Sequence, residues 1–265
     1  MKFQFYKYHG TGNDFIILDD RAAQFPENDQ AYIAQLCHRR FGIGADGLIL
    51  IRNVENYDFE MRYFNSDGRI ASLCGNGSRC AVKFAHDRGI FKDTTTFLAV
   101  DGPHEASVKG DLVELKMQDL SKTSQHNGNW VIDTGSPHYL CFKSHANLEI
   151  NREAKAIRHS EDFDKEGINV NFIEPVNPQE IKVRTFERGV EAETYSCGTG
   201  VVASAIAHFL EQNPKSDTPQ EIKITTKGGN LAVLFTPKDG KFQQIWLKGP
   251  AVYVFSGEVA AEKTS

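Results

Sequence analysis

Two short elements of the chain, Cys74-Gly75-Asn76-Gly77 and Cys197-Gly198-Thr199-Gly200, place a thiol, two glycines and a polar residue in the same order 123 positions apart. At the same offset Thr11-Gly12-Asn13 falls on Thr134-Gly135-Ser136, Gly44-Ala45-Asp46 on Gly167-Ile168-Asn169, and Tyr63-Phe64-Asn65 on Phe186-Glu187-Arg188. The chain therefore reads as two divergent copies of one unit, each with one cysteine at an equivalent place. Each motif lies just before a helical pattern. Its glycines let the backbone turn tightly and approach a ligand closely. A helix start presents unpaired N–H groups and a partial positive charge, where an α-carboxylate can dock. The same field favours thiolate, lowering a thiol from its reference pKa of about 8.5. Such a pair suits inversion at the Cα of an amino acid. One thiolate removes the proton, a thiol on the other face returns one, and reversed protonation serves the opposite direction. Pocket N–H groups would stabilise the planar carbanion. Nothing in the sequence reads as a Schiff-base site for pyridoxal phosphate. The alternative, two small residues packing under helix starts, does not explain why a divergent repeat keeps both thiols.

The elements that must position these motifs follow the repeat. In the first copy Phe3–Tyr8, Phe15–Leu18, Leu48–Ile51, Phe59–Phe64, Phe97–Val100 and Leu112–Met117 have strand patterns. Ala31–Arg40 is spaced as a helix with Ile33, Leu36 and Cys37 on one face, and Ser78–Arg88 is a helix stopped by Gly89. In the second copy Val131-Ile132, Tyr139–Phe142, Val170–Ile173 and Ile181–Phe186 are strands, and about Gly200–Leu210 is a helix. Its run from Val201 to Ala207 is almost wholly apolar, and a helix apolar on every side is buried on every side. The expected fold is α+β: two homologous pseudo-symmetric domains, each a barrel-like, mostly antiparallel sheet around a central helix. Residues 1–122 form the first and 129–249 the second. The polar stretch Leu120–Asn129 serves as linker, and a strand within 250–265 returns to the first domain.

Bulk properties narrow the function class. At 265 residues, 40% hydrophobic and 25% charged, the chain is long enough to bury a sizeable core. A net charge of −5 with no Lys/Arg run argues against nucleic acid as the main partner. Met1 to Gly10 is mixed polar and aromatic, neither export signal nor membrane span. Five cysteines, Cys37, Cys74, Cys80, Cys141 and Cys197, match no zinc spacing. The reading is a cytoplasmic enzyme with reduced thiols, no metal and no cofactor. Cys37, Cys80 and Cys141 sit on an apolar helical face, within a helix and within a strand, and read as fillers.

At these motifs the sequence resembles diaminopimelate epimerase, the cofactor-independent two-thiol enzyme of lysine and peptidoglycan biosynthesis. The likeness spans nearly the whole chain. It takes in His9–Phe15, Gly42–Gly47, Phe64–Gly68, Cys74–Cys80, Gly135-Ser136-Pro137-His138, Glu187-Arg188-Gly189, Cys197–Gly200 and Gly249–Val252. It implies two domains facing one another across the active cleft, epimerisation of LL-2,6-diaminopimelate to the meso form, and a homodimer. Cys74 and Cys197 would be the acid and base. Gly75-Asn76 and Gly198-Thr199 would bind the reacting carboxylate. Asn13, Asn65, Ser136, Asn169, Glu187 and Arg188 would hold the rest of the substrate, Arg188 pairing a carboxylate and Glu187 accepting from an ammonium. His138 would tune one cysteine and Glu187 help tune the other. Two positions depart from the common pattern. Gly47 stands where many relatives carry Gln, leaving backbone groups or room for a water, and Ser136 stands where many carry Asn. Another racemase of the same fold, of the proline type, is the alternative, but proline has no distal amino-acid group to occupy Arg188, Glu187 and Asn169.

Overall fold

In the computed structural model of the chain, residues 2–71, 74–212 and 216–260 are described. Residues up to 115, with those from 249 on, form one unit, and residues 116–248 form the other.

The first unit opens on a hairpin. β1 (Lys2–Gly10) and β2 (Asn13–Asp19) close with Gly10 opposite Asn13. Thr11 and Gly12 between them have φ of 50° and 85°, the positive pair that matches a two-residue turn to strand twist. Then follow α1 (Gln30–Cys37), β3 (Gly47–Arg52), β4 (Phe59–Asn65), α2 (Gly75–Asp87), β5 (Thr94–Ala99), β6 (Gly102–Lys109) and β7 (Leu112–Lys116). β2–β3 and β4–β5 are parallel, and the other neighbours are antiparallel. β2 and β3 are buried on both faces. Towards the interior Phe15 and Ile49 lie against Gly77 of α2, and on the outside Ile16, Leu18, Leu48 and Leu50 pack on Tyr32, Ile33 and Leu36 of α1. α2 touches β1, β2, β3, β4 and β6, so the sheet curls around it. α1 stops at Cys37, short of the expected Arg40, because the His38 ring accepts the N–H groups of Arg40 and Phe41 at 3.1 and 3.2 Å.

The second unit repeats this plan. β8 (Ser124–His126), β9 (Asn129–Asp133), β10 (Pro137–Phe142), α3 (Ile150–Arg158), β11 (Asn169–Asn177), β12 (Glu180–Glu187), β13 (Ala192–Thr194), α4 (Gly198–Glu211), β14 (Gln220–Thr226), β15 (Gly229–Lys238) and β16 (Lys241–Pro250) follow in order. The succession β8-β9-β10-β11-β12-β14-β15-β16 has β10–β11 and β12–β14 parallel and all other pairs antiparallel. β17 (Val252–Ala260) pairs antiparallel with β1, which makes the first unit's succession β17-β1-β2-β3-β4-β5-β6-β7 the same pattern. Residues 261–265 of the expected terminal strand lie outside the described residues. The expected linker carries structure. Ser124–His126 is β8, and Asn127 and Gly128, with φ of 49° and 75°, turn it onto β9. Met117 and Leu120 bond to Ile245 and Phe242 of β16.

α4 is buried along Gly200–Phe209 and touches β9, β10, β11, β12, β14 and β15. Both central helices begin earlier than the apolar pattern indicates, at Gly75 and Gly198, because glycines are weak helix formers and mask the first turn. Ile206 is 0% exposed in α4. Ile206→Ala is expected to lower unfolding free energy by about 2–5 kcal/mol, measured by urea denaturation.

Candidate active site

Cys74 and Cys197 occupy the N-cap positions of α2 and α4. Their backbones are nearly superposable, with φ, ψ of −111°, 116° and −119°, 116°. In each case the cap carbonyl accepts the first helical bond, from Ser78 at 2.7 Å and Val201 at 2.9 Å, and the side chain makes no capping hydrogen bond. Each sulfur therefore sits at the positive end of a buried helix. The other thiols differ: burial pushes Cys37 and Cys141 up to about 12 and raises Cys80 further, so all three are inert at neutral pH.

In the first unit Asn13, Asn76 and Cys74 form one cluster. The Asn13 amide oxygen accepts from Asn76 Nδ2 at 3.2 Å and lies 3.7 Å from Cys74 Sγ. Asp46 fixes that amide by accepting from Asn13 Nδ2 at 2.7 Å, and Arg39 holds Asp46 at 2.8 Å. Arg39 and Lys7 also bind Asp14. Burial works to raise that carboxyl, but these hydrogen bonds and charges outweigh it and bring it down to about 2. Gly75 supplies backbone at the first turn, its carbonyl accepting from Arg79 at 3.3 Å. Asn65 stands opposite Gly47 across β3–β4, and its amide oxygen accepts the Tyr63 hydroxyl at 3.0 Å. The space a side chain at Gly47 would enter is filled: a Cβ would lie 2.5 Å from the Tyr63 ring and 2.5 Å from the Phe64 carbonyl. Tyr63, rather than a water, takes that room.

In the second unit His138 reaches Cys197 through an intermediary. Cys197 Sγ is 3.4 Å from Thr199 Oγ1, which is 2.9 Å from His138 Nε2. His138 Nδ1 is 2.7 Å from Asn171 Oδ1, and Asn171 Nδ2 donates to Thr185 Oγ1 at 2.8 Å. Since Asn171 donates to Thr185, its oxygen receives the proton of His138 Nδ1, and Nε2 is the acceptor. His138 is fully buried, and burial lowers it to about 4, so the ring is neutral near pH 7. Gly200 makes this possible, because a Cβ there would lie 2.5 Å from Asn171 Nδ2 and 3.0 Å from the His138 ring. Gly198 begins α4, and the Thr199 carbonyl accepts the Thr134 hydroxyl at 2.8 Å.

Asn169 ties the remaining expected residues together. It donates to Ser136 Oγ at 2.7 Å and the Pro137 carbonyl at 3.0 Å, and accepts the Arg188 N–H at 2.9 Å. Arg188 is exposed, and its guanidinium donates to the Glu166 carbonyl at 2.8 Å. Glu187 Oε1 accepts the Thr194 hydroxyl at 2.5 Å. Arg39 and Asn171 lie outside the motifs read from the sequence, and Tyr63 and Arg79 lie inside two of them without a role, yet comparison of the two copies carries a signal for Arg79 and Asn171. At the 123-residue offset Phe15 matches His138 and Arg79 matches Val202, and the strand pairing sets Ile49 in the place of Asn171. Interior polarity is inverted at these positions, all of them buried.

The fold recurs in a phenazine biosynthesis protein of the PhzF family from Bacillus anthracis, with a TM-score of 0.76, 17% identity, and 98% and 99% of the two chains covered. It recurs in a hydroxyproline epimerase from Agrobacterium vitis, with a TM-score of 0.66, 15% identity, and 99% and 94% covered. The architecture is thus that of the racemase and PhzF class, with two homologous units each wrapped around a central helix. The family model for diaminopimelate epimerase matches residues 5–122 and 130–254. A diaminopimelate epimerase of Flavobacterium psychrophilum is 45% identical over 252 residues, 94% of this chain and 97% of that protein. The chain belongs to the diaminopimelate epimerase family, and its reaction is the epimerisation of diaminopimelate, an isomerase step of lysine biosynthesis.

The buried His138 has a consequence for stability. Its folded pKa of about 4 lies below the ordinary imidazole value of 6.5, so the unfolded chain binds the proton first as pH falls. The stability linked to the neutral ring is full above about 6.5 and is lost towards 4. The stability difference between the wild type and His138→Phe should therefore narrow over that range, by an amount on the order of 3 kcal/mol, in denaturant titrations run at each pH.

Proposed function

We propose that epimerisation proceeds without a cofactor, Cys74 and Cys197 acting as the proton-transfer pair. One thiolate takes the Cα proton, and the other residue, as thiol, delivers a proton to the opposite face, leaving the pair with exchanged protonation. The observation that carries this reading is the matched placement of the two sulfurs at the N-caps of buried glycine-started helices. The first-turn N–H groups at Gly75, Asn76, Gly198 and Thr199 bind the reacting carboxylate and stabilise charge spreading onto it in the carbanion. Asn76 is 2% exposed and bonded to Asn13 and Arg79, so its part is played by backbone. Arg188, Asn65, Asn13 and Ser136 recognise the distal amino-acid group, and Asn169 braces Ser136 against Arg188. Glu187 receives the distal ammonium and tunes one cysteine. His138 tunes Cys197 through Thr199.

Cys74→Ala and Cys197→Ala should each lower turnover by about 10²–10⁴-fold, the usual reach of a general acid or base. Deuterium wash-in at Cα, followed by NMR in heavy water, should occur with diaminopimelate and not with proline. Normal turnover by either single variant removes the two-thiol mechanism, and exchange confined to proline moves the substrate.

The reaction takes place in the cytoplasm on this reading, where the five free cysteines stay reduced. Among the described residues no helix is long and apolar enough to cross a membrane. The working form is a homodimer, supported by Val252, Tyr253, Val254 and Phe255 of β17, which are 39–50% exposed, apolar surface of the kind a second copy covers. Sedimentation velocity should give a dimer for the wild type and a monomer for Val252→Asp/Val254→Asp. A monomeric wild type at micromolar concentration excludes it.

A further inference from the structure

Among the described residues Arg79 heads the fully buried side chains in size and is 0% exposed. Its Nη2 donates to Asn76 Oδ1 at 2.9 Å and Thr11 Oγ1 at 3.2 Å, and its Nη1 donates to the Gly75 carbonyl at 3.3 Å. Its Nε is buried with no partner among the described residues. Among the described residues no carboxylate pairs with it, and the ionisable groups acting on it are the thiols of Cys80 and Cys74. A guanidinium taken out of water without a counter-ion is costly. Gly10 keeps its place open, since a Cβ there would lie 3.2 Å from Nη2 and 2.9 Å from the Asn76 carbonyl. Thr11, Asn76 and Gly10 thus hold a cation beneath the first turn of α2. Cys80 cannot neutralise it, because complete burial holds that thiol protonated. Cys74, at the start of the same turn, is the remaining anion.

The second unit lacks this charge. The equivalent of Arg79 is Val202, also 0% exposed, and the start of α4 is backed by the neutral His138. With His138 Nε2 accepting from Thr199, the Thr199 oxygen is left to accept from Cys197. That chain of donors suits a thiol; Cys74 also faces an acceptor, Asn13 Oδ1 at 3.7 Å, so the difference between the two ends lies in the buried cation. In the first unit the acidic groups near the start of α2 are Asp46, behind Asn13, and Asp14. Both are held by Arg39, and Asp14 by Lys7 as well, so neither cancels Arg79.

We propose that Arg79 is a positioning residue whose buried charge makes Cys74 the thiolate of the resting enzyme and leaves Cys197 the thiol. The proposal rests on the reading of these two cysteines as the acid–base pair. The test is alkylation by iodoacetamide in brief pulses across a pH series, each cysteine quantified by peptide mass. In the wild type Cys74 should react about tenfold faster than Cys197 at pH 7, as a lower thiol pKa requires. In Arg79→Met the Cys74 profile should move to higher pH, its rate at pH 7 falling about tenfold, while the Cys197 profile stays in place. Arg79→Lys should restore part of the difference. Cys197 ionising before Cys74 in the wild type overturns the proposal, as does an unmoved Cys74 profile in a folded Arg79 variant. If Arg79→Met does not fold, the wild-type comparison and Arg79→Lys decide it. Alkylation needs no turnover, so it is separable from the mechanism: an inactive Cys74→Ala together with a Cys74 profile unmoved in Arg79→Met defeats the role of Arg79 alone, whereas a fully active Cys74→Ala defeats both.

Discussion

Amide groups at a helix start are left without partners by the geometry of the helix itself, and in this chain two such starts are buried inside curled sheets. Solvent reaches only their ends. The rest of each unit answers to that constraint. Glycines occupy the first turn so that other groups can press against it: the Asn171 amide and His138 ring at Gly200, Phe15 and Ile49 at Gly77. β2 and β3 are apolar on both faces where they run between the central helix and the outer one, whereas β10 and β11 are apolar towards α3 and turn His138 and Asn171 towards α4. The hairpin turns at Thr11-Gly12 and Thr134-Gly135 deliver polar residues to the same end of each helix. A sulfur at the cap then experiences a field set by the fold before any side chain is added.

Much of this was legible because the repeat and the periodicities agree. The wholly apolar run Val201–Ala207 could only be an interior helix, and α4 is buried accordingly. The paired Cys-Gly motifs marked both caps. Other features were hidden for identifiable reasons. Glycines at 75, 77, 198 and 200 conceal the first helical turns. α3 buries only Ile150 and Ala154 as its most protected residues, too narrow a stripe to stand out. β14 alternates in burial, with Ile222 and Ile224 inside, but it lies away from the motifs that drew the two halves into register. The network that braces Asn13 through Asp46 and Arg39 joins residues distant in sequence, and no local pattern announces it. Tyr63 filling the room beside Gly47 is likewise a matter of packing. The backbone there has no space for a Cβ, so an aromatic ring from the neighbouring strand supplies the polar group instead.

The two halves share a strand succession and differ inside it. One central helix is underpinned by a cation, the other by a neutral imidazole bonded to a threonine hydroxyl. Neither arrangement touches the outer helices or the strand pairing, since both are built from side chains directed at the first helical turn. The departures Gly47 and Ser136 are of the same kind. Each is compensated locally, by Tyr63 bonded to Asn65 and by Asn169 bonded to Ser136, without disturbing the scaffold.

The inverted polarity at Phe15 and His138, Ile49 and Asn171, and Arg79 and Val202 has a consequence for how such a chain changes over generations. After duplication of an ancestral half, both copies must keep the glycines and the cap geometry, or lose the open helix start. Their interiors are under no such obligation. Substitutions there can adjust the acidity of one sulfur without altering any atom that meets the substrate. A duplicated fold of this type can therefore diverge into enzymes for different carbon acids by exchanging recognition residues at its rim, while the proton-handling machinery is adjusted one half at a time from within.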